Sequence, residues 1–213
     1  PTQEPIDPVR FISNHSSGKM GYAIAEAARD RGAEVILVTG PSTLTPPPGV
    51  TTVSVKTASE MTDALSRHFP AATVLIMAAA VADFRPKNQA AQKLKKQGKS
   101  ELVLELEATP DILAMLSARR TSQIVVGFAA ETEHVVSHAK DKLRGKGLDL
   151  IIANDVMQAG SGFGSDDNAV VILSAGGEQR VLGLMPKRRL ADEILTAVHE
   201  LCLISPRRES LVE

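Results

Sequence analysis

The run from Arg10 to Gly21 reads RFISNHSSGKMG and crowds hydroxyls, an amide, an imidazole, a lysine and two glycines into twelve residues. It leads straight into Met20, Ala23, Ile24, Ala27 and Ala28, one apolar face at helical spacing. A helix start offers unpaired backbone N–H groups at the positive end of the dipole, which together make an anion site. Gly18 and Gly21 remove the Cβ atoms that would hold a phosphate away. The pattern suits a phosphate or nucleotide cradle; the alternative is a well-capped first helix with a polar lead-in. Its spacing matches neither Gly-x-Gly-x-x-Gly nor the P-loop Gly-x4-Gly-Lys-Ser/Thr.

Three further stretches carry unusual chemistry. Ala78 to Pro86 (AAAVADFRP) is small enough for close backbone approach to a ligand, and Asp83 adds a carboxylate that also suits a turn. Gly127 to Thr132 (GFAAET) places Phe128 either in the core or against a base. Ala153 to Val156 (ANDV) reads as a polar strand end or an Asx turn. Positive charge for phosphates is available at Lys93, Lys95, Lys96 and Lys99, and at Lys142 and Lys146 with i,i+4 spacing on one helix side. Each of these also fits a solvated surface. His134 and His138 share the i,i+4 spacing of a metal pair, without an evident third ligand. The glycines around Phe163 suit either a lid or an ordinary long loop.

The elements that must position these residues alternate. Three prolines within residues 1–8 make the opening extended. A helix from Lys19 ends at Gly32, a buried strand follows at Val35–Val38, and a second strand at Thr51–Val55. Ser59 is placed to cap a helix with Met61, Ala64 and Leu65 inside. Thr73–Met77 is a continuous apolar run, as in a central parallel strand. Glu101–Glu107 alternates, with Leu102, Leu104 and Leu106 on one face. Thr109, Pro110 and Asp111 read as cap, N1 proline and first-turn acid. Strands at Gln123–Phe128 and Leu148–Ala153 flank a helix from Glu133 to Arg144, which buries Val135, Val136, Ala139 and Leu143. Ala169–Leu173 and Arg180–Leu184 form a hairpin around Ala175, Gly176 and Gly177, before a helix from Leu190 to Leu203. Strand–helix alternation predicts an α/β fold, a doubly wound and mostly parallel Rossmann-like sheet with helices on both faces. The hairpin is a small antiparallel extension suited to dimerisation.

Composition narrows the function. Across 213 residues, 43% hydrophobic and 23% charged, no linker or repeat divides the chain, so residues 1–213 are read as one domain. A net charge of −1 lacks the basic field that nucleic acid or a membrane surface requires, and six aromatics offer few stacking platforms. Cys202 is the only cysteine, which excludes disulfides, and it is placed on the apolar face of the last helix as a core residue. Without a membrane span or signal peptide, the expectation is a cytoplasmic enzyme.

Taken together, these segments resemble the bacterial phosphopantothenoylcysteine synthetases of coenzyme A synthesis. The resemblance rests on Glu4–Gly21, Ala79–Pro86, Lys93–Lys96, Pro110–Leu113, Gly127–Thr132 and Ala153–Val156, whose order and spacing span nearly the whole chain. It implies a CTP-dependent ligase. The carboxylate of 4′-phosphopantothenate attacks the α-phosphorus of CTP, and the amine of L-cysteine then displaces CMP from the acyl-cytidylate. By this similarity Asn14 holds the acyl-cytidylate with Arg10 beside it, and Lys93 meets the phosphates. Ser16, Ser17, Gly18, Lys19, Met20 and Gly21 line the nucleotide phosphates. Ala79 and Asp83 contact the nucleotide, Asp83 through Mg²⁺. Pro110, Asp111, Ile112, Leu113 and Phe128 frame it, and Lys142 and Lys146 complete its charge neutralisation. The resemblance also implies a homodimer, often fused to a flavin-dependent decarboxylase domain.

Two departures qualify the match. The family carries a strand and glycine turn directly before Thr2 that this sequence lacks, so a fragment is expected. Thr109 stands where many relatives have asparagine. Two other classes share such a fold: a nicotinamide-dependent oxidoreductase, which requires Gly-x-Gly-x-x-Gly and an acid after the second strand, and a nucleotide-binding module without turnover.

Overall fold

The computed structural model describes residues 1–96, 100–131, 133–155, 160 and 164–204. Its centre is a five-stranded mixed sheet in the order β11-β10-β9-β8-β5. Strands β5 (Val74–Met77), β8 (Ile124–Glu131) and β9 (Leu150–Asp155) run parallel, and β10 (Asp167–Ser174) and β11 (Gln179–Pro186) continue the sheet antiparallel.

Because side chains alternate along a strand, β8 and β9 feed two cores at once. Val125, Ile151 and Ala153 face a layer built from α2 (Ala58–His68), α3 (Ile112–Arg119) and α4 (Val135–Gly145). Ile124, Val126, Leu150 and Ile152 face the other way, onto Ile24 and Ala27 of α1 (Lys19–Asp30) and Leu190, Ala191 and Ile194 of α5 (Lys187–Ile204). The expected doubly wound architecture is therefore present, with helices covering both faces.

The structure also differs from expectation at several points. The pair β3 (Ile36–Thr39) and β4 (Thr51–Ser54) forms its own parallel two-stranded sheet, and Ile36 is exposed rather than buried. Helix α2 begins one residue before Ser59. Its cap is Thr57, whose hydroxyl accepts the Glu60 N–H at 3.2 Å while Glu60 reaches back to the Thr57 N–H, a complete capping box. Asp111, not Thr109, caps α3: its Oδ1 accepts the Ala114 N–H at 3.0 Å. Thr109 instead donates its hydroxyl to the Ala82 carbonyl at 2.6 Å. The alternating run Glu101–Glu107 yields only a short strand, β7 (Leu106–Ala108), paired with β6 (Phe84–Pro86); Leu102, Val103 and Leu104 lie exposed outside it. Alternation alone makes no strand without a partner to complete its ladder. The β10–β11 hairpin is longer than expected and belongs to the main sheet, α5 starts at Lys187, and Cys202 is exposed.

The opening segment is extended, as its prolines require. Strands β1 (Gln3–Pro5) and β2 (Phe11–Ser13) form a small antiparallel hairpin. Its leading end runs between β3 and the loop after β5. The Thr2 N–H donates to the Ala80 carbonyl at 3.2 Å, and the Ala82 N–H donates to the Thr2 hydroxyl at 3.0 Å. Only glycine fits opposite this crossing, since a Cβ at Gly40 would lie 1.9 Å from the Pro1 carbonyl oxygen. Glu4, buried, accepts the first N–H of α2 at 2.9 Å. A polar tail is thereby fixed to the sheet by paired hydrogen bonds.

Candidate functional site

In open α/β sheets ligands sit beyond the carboxyl ends of the parallel strands, and the candidate residues gather there around the loop that follows β5. The Asn14 Nδ2 donates to the Ala80 carbonyl at 3.2 Å, the same oxygen that receives the Thr2 N–H. From Ala80 the loop continues to Asp83, whose carbonyl accepts the Thr109 N–H at 2.9 Å. Two residues on stands the cap Asp111, whose Oδ2 lies 2.9 Å from the Lys146 ammonium. A single hydrogen-bonded path thus links Asn14, the Ala80–Asp83 loop, Asp111 and Lys146.

Helix α1 begins beside this loop. Gly18 adopts a left-handed conformation (φ 81°) that strains any residue with a Cβ, and no side chain caps the helix. The Ser16 and Ser17 hydroxyls accept the Gly18 and Lys19 N–H groups at 3.4 Å each, while Met20 and Gly21 N–H groups donate to none of the described residues. Gly21 sits where a Cβ would come to 3.8 Å from Ala78, so α1 lies against the β5 loop. Free N–H groups at the dipole's positive end are what an incoming phosphate requires. The Lys19 ammonium donates to the Gly164 carbonyl (2.8 Å) and to Asp166 Oδ1 (2.7 Å).

Arg10 and Lys93 are joined through the loop after β6. The Arg10 guanidinium binds Asp7 and the Leu94 carbonyl, leaving Nη1 without a bond among the described residues. Lys93, next to Leu94, is exposed, and its ammonium has no partner among the described residues. Lys142 pairs with Glu131 at 2.6 Å, and the His138 ring lies 3.3 Å from the same carboxylate. Lys146 is the C-cap of α4, one turn beyond Lys142, and its N–H donates to the Lys142 carbonyl at 3.0 Å.

Ile112 and Leu113 are buried in one core, while Phe128 packs half-buried against the other. Lys99, Thr132, Val156 and Phe163 lie outside the described residues. Asp7, Glu131 and Asp166 carry structural roles that residue spacing had left unassigned. For Asp7 a signal existed: an acid followed by Pro-Val-Arg suits an Asx turn.

Charge at the site follows from these contacts. The Arg10 guanidinium beside Asp7, helped by three backbone N–H groups and opposed by burial, holds its carboxyl well below the usual carboxylate range. For Asp111 burial pushes upward, but Lys146 and the α3 amides prevail and the net shift is down. Lys19 lowers Asp166 in the same way. Burial, with Lys19 nearby, lowers Lys187, which donates to the Ser165 and Asp167 carbonyls.

Among the described residues no three His, Cys, Asp or Glu side chains cluster to hold a metal ion. Asp83 is exposed, and its carboxylate accepts no hydrogen bond from a described residue. One such carboxylate, completed by substrate phosphates, fits the way Mg²⁺ is usually bound.

The family model for the DNA/pantothenate metabolism flavoprotein C-terminal domain (DFP) matches residues 1–202. The chain belongs to this family. Among relatives of this DFP domain, the coenzyme A biosynthesis bifunctional protein CoaBC of Bacillus subtilis is 47% identical over 199 residues, 93% of this chain and 49% of that protein. The CoaBC of Escherichia coli K12 is 48% identical over 207 residues, 94% of this chain and 51% of its own. The DFP domain here therefore spans about half the length of the curated relatives it matches. The crystal structure of a CoaBC C-terminal domain superposes with a TM-score of 0.81 at 44% identity, covering 95% of this chain and 92% of the other. No described helix is long and apolar enough to cross a membrane.

Proposed function

We propose that this chain acts in coenzyme A biosynthesis as a CTP-dependent ligase. It joins 4′-phosphopantothenate to L-cysteine through an acyl-cytidylate and releases pyrophosphate and CMP. The observation that carries the reading is the meeting of Asn14, the Ala80–Asp83 loop and the open amides of α1 at one sheet end.

Two anions must meet while a third leaves, so the first half-reaction is limited by charge. The α1 amides, the Arg10 Nη1 donors and the Lys93 ammonium are preorganised for that charge, commonly the largest catalytic contribution. Bound Mg²⁺, held by Asp83 and the triphosphate, would neutralise the pyrophosphate as it departs. Lys142 and Lys146 are each balanced by a carboxylate, so to a bound nucleotide they would bring directed donors rather than a bare positive field. In the second half-reaction Asn14, steadied at Ala80, holds the acyl group while the amine attacks the carbonyl carbon and the C–O bond to CMP breaks.

Mixing the protein with CTP, Mg²⁺ and 4′-phosphopantothenate should release pyrophosphate before cysteine is added, and CMP with the amide product after. An intact, folded preparation that releases none would refute the ligase. Stabilisation by NAD but not CTP would support an oxidoreductase, and CTP binding without turnover a binding module. We infer further that the chain pairs with a second copy and with a decarboxylase partner domain. The free edge strand β11 exposes Val181 (71%) and Leu184 (51%), a surface that a copy of the chain can cover. A monomeric mass in light scattering at micromolar concentration would exclude the dimer.

A further inference from the structure

A fully enclosed carboxylate lies outside the path from Asn14 to Lys146. The Asp7 side chain is wholly buried, with 0% exposure. Its Oδ1 accepts the Val9 N–H at 2.8 Å and the Arg10 N–H at 2.9 Å. Its Oδ2 accepts Arg10 Nε at 3.0 Å, Arg10 Nη2 at 2.5 Å and, from across the chain, the Leu94 N–H at 3.0 Å. Arg10 Nη2 then donates to the Leu94 carbonyl at 2.7 Å. Leu94 therefore has both its backbone groups held, one by each member of the Asp7–Arg10 pair. A further tie, Ala90 N–H to the Ile6 carbonyl at 3.0 Å, fixes the loop's approach.

The arrangement is a rung of sheet built from side chains. Its neighbour on the loop is Lys93, whose own ammonium has no described partner. Only a carboxylate can serve all five donors: an amide in its place would turn a donor toward either the backbone N–H pair or the guanidinium. Leaving such groups unpaired in a buried position costs far more than an ordinary surface contact is worth.

We propose that Asp7 is a positioning residue for the reaction, fixing Leu94 so that the Lys93 ammonium is presented to the anionic substrate. This rests on the ligase reading, since it is there that Lys93 meets phosphate.

The test compares wild type, Asp7→Asn, Lys93→Ala and the double variant, with pyrophosphate release and amide exchange as readouts. Asp7→Asn should lower the kcat of pyrophosphate release about a hundredfold, as loss of a preorganised donor does. Because Asp7 also holds Arg10, the double variant should be slower than Lys93→Ala by no more than Arg10→Ala, measured alongside, is slower than wild type. Exchange at the Leu94 amide should rise in Asp7→Asn while the β8 amides stay protected, which separates loosening of the loop from unfolding. Leu94→Pro, which deletes the donated N–H without touching Asp7, should reproduce the loss. A double variant slower than that bound, or an unchanged Leu94 exchange in Asp7→Asn, would overturn the proposal while leaving an active wild type, and hence the ligase reading, intact. A wild type that releases no pyrophosphate would remove both.

Discussion

The Lys19 ammonium lies 2.7 Å from Asp166 Oδ1, tying the first turn of α1 to the segment that enters β10. The pair is largely exposed on the Asp166 side, so it contributes little to stability. Its value is placement, because it holds a cation one residue from the open amides of α1. Lys19→Met should therefore leave the unfolding midpoint nearly unchanged and raise the KM for CTP roughly tenfold, the effect of about 1.4 kcal/mol of lost phosphate binding. Steady-state kinetics beside a denaturation curve measures both. A large stability loss with an unaltered KM would contradict this role.

Among the described residues the Asn14 side chain makes one hydrogen bond, to the Ala80 carbonyl, and the residue is exposed. Asn14→Ala should keep pyrophosphate release close to wild type while amide formation falls about a hundredfold or more. The two products are quantified separately in the same reaction. Equal losses in both would refute the division of labour between Asn14 and the nucleotide-binding groups.

Asp83 has no described hydrogen-bond partner on its carboxylate, so little structure depends on it. Asp83→Asn should change folding stability by no more than about 0.5 kcal/mol, as for other exposed positions. The Mg²⁺ concentration for half-maximal pyrophosphate release should rise severalfold. A magnesium titration of both proteins decides it: superimposable curves would remove Asp83 from the metal's environment.

Asp111 combines a helix cap with the Lys146 ion pair. Asp111→Ala should cost about 1 kcal/mol in urea unfolding at pH 7, mostly as the lost cap, and Asp111→Asn much less. The Asp111 carboxyl is lowered in the folded state, so its ionised form stabilises the fold above the unfolded value near pH 4. That contribution is lost as pH falls through the lower folded value. The gap between wild type and Asp111→Ala should therefore narrow in acid, and a gap that widened there would reverse the assignment.

Much of the architecture is legible along the chain because it follows from local pattern. The 3.6-residue period of Ile24 and Ala27 marks α1, and Gly32 in its left-handed conformation terminates it. The apolar runs of β5 and β8 announce strands packed on both faces, but only β8 is interior; β5, expected to be central, ends the sheet among the described strands. Helix starts are harder to place. Thr57 and Ser59 are both plausible caps, and Thr109 and Asp111 likewise. The selection falls on the residue whose side chain reaches the third amide onward, a geometric outcome that residue type does not encode. The run Glu101–Glu107 has the alternation of a strand yet pairs only from Leu106, since a ladder needs a partner of matching length and β6 is three residues long.

The candidate site divides along the same line. By itself the sequence determined the residue types that anion chemistry requires, the glycines that open α1, and a set of motifs spanning the chain. These are properties of neighbours, and neighbours in sequence constrain one another through backbone geometry. Tertiary structure alone decided that Lys19 faces Asp166, that Lys142 and Lys146 pair with Glu131 and Asp111, and that Phe128 packs half-buried against the core. It alone brought Leu94 into the grasp of Asp7 and Arg10. A buried carboxylate recruits its donors by distance in space, and a separation of 87 residues leaves no periodic trace in the chain.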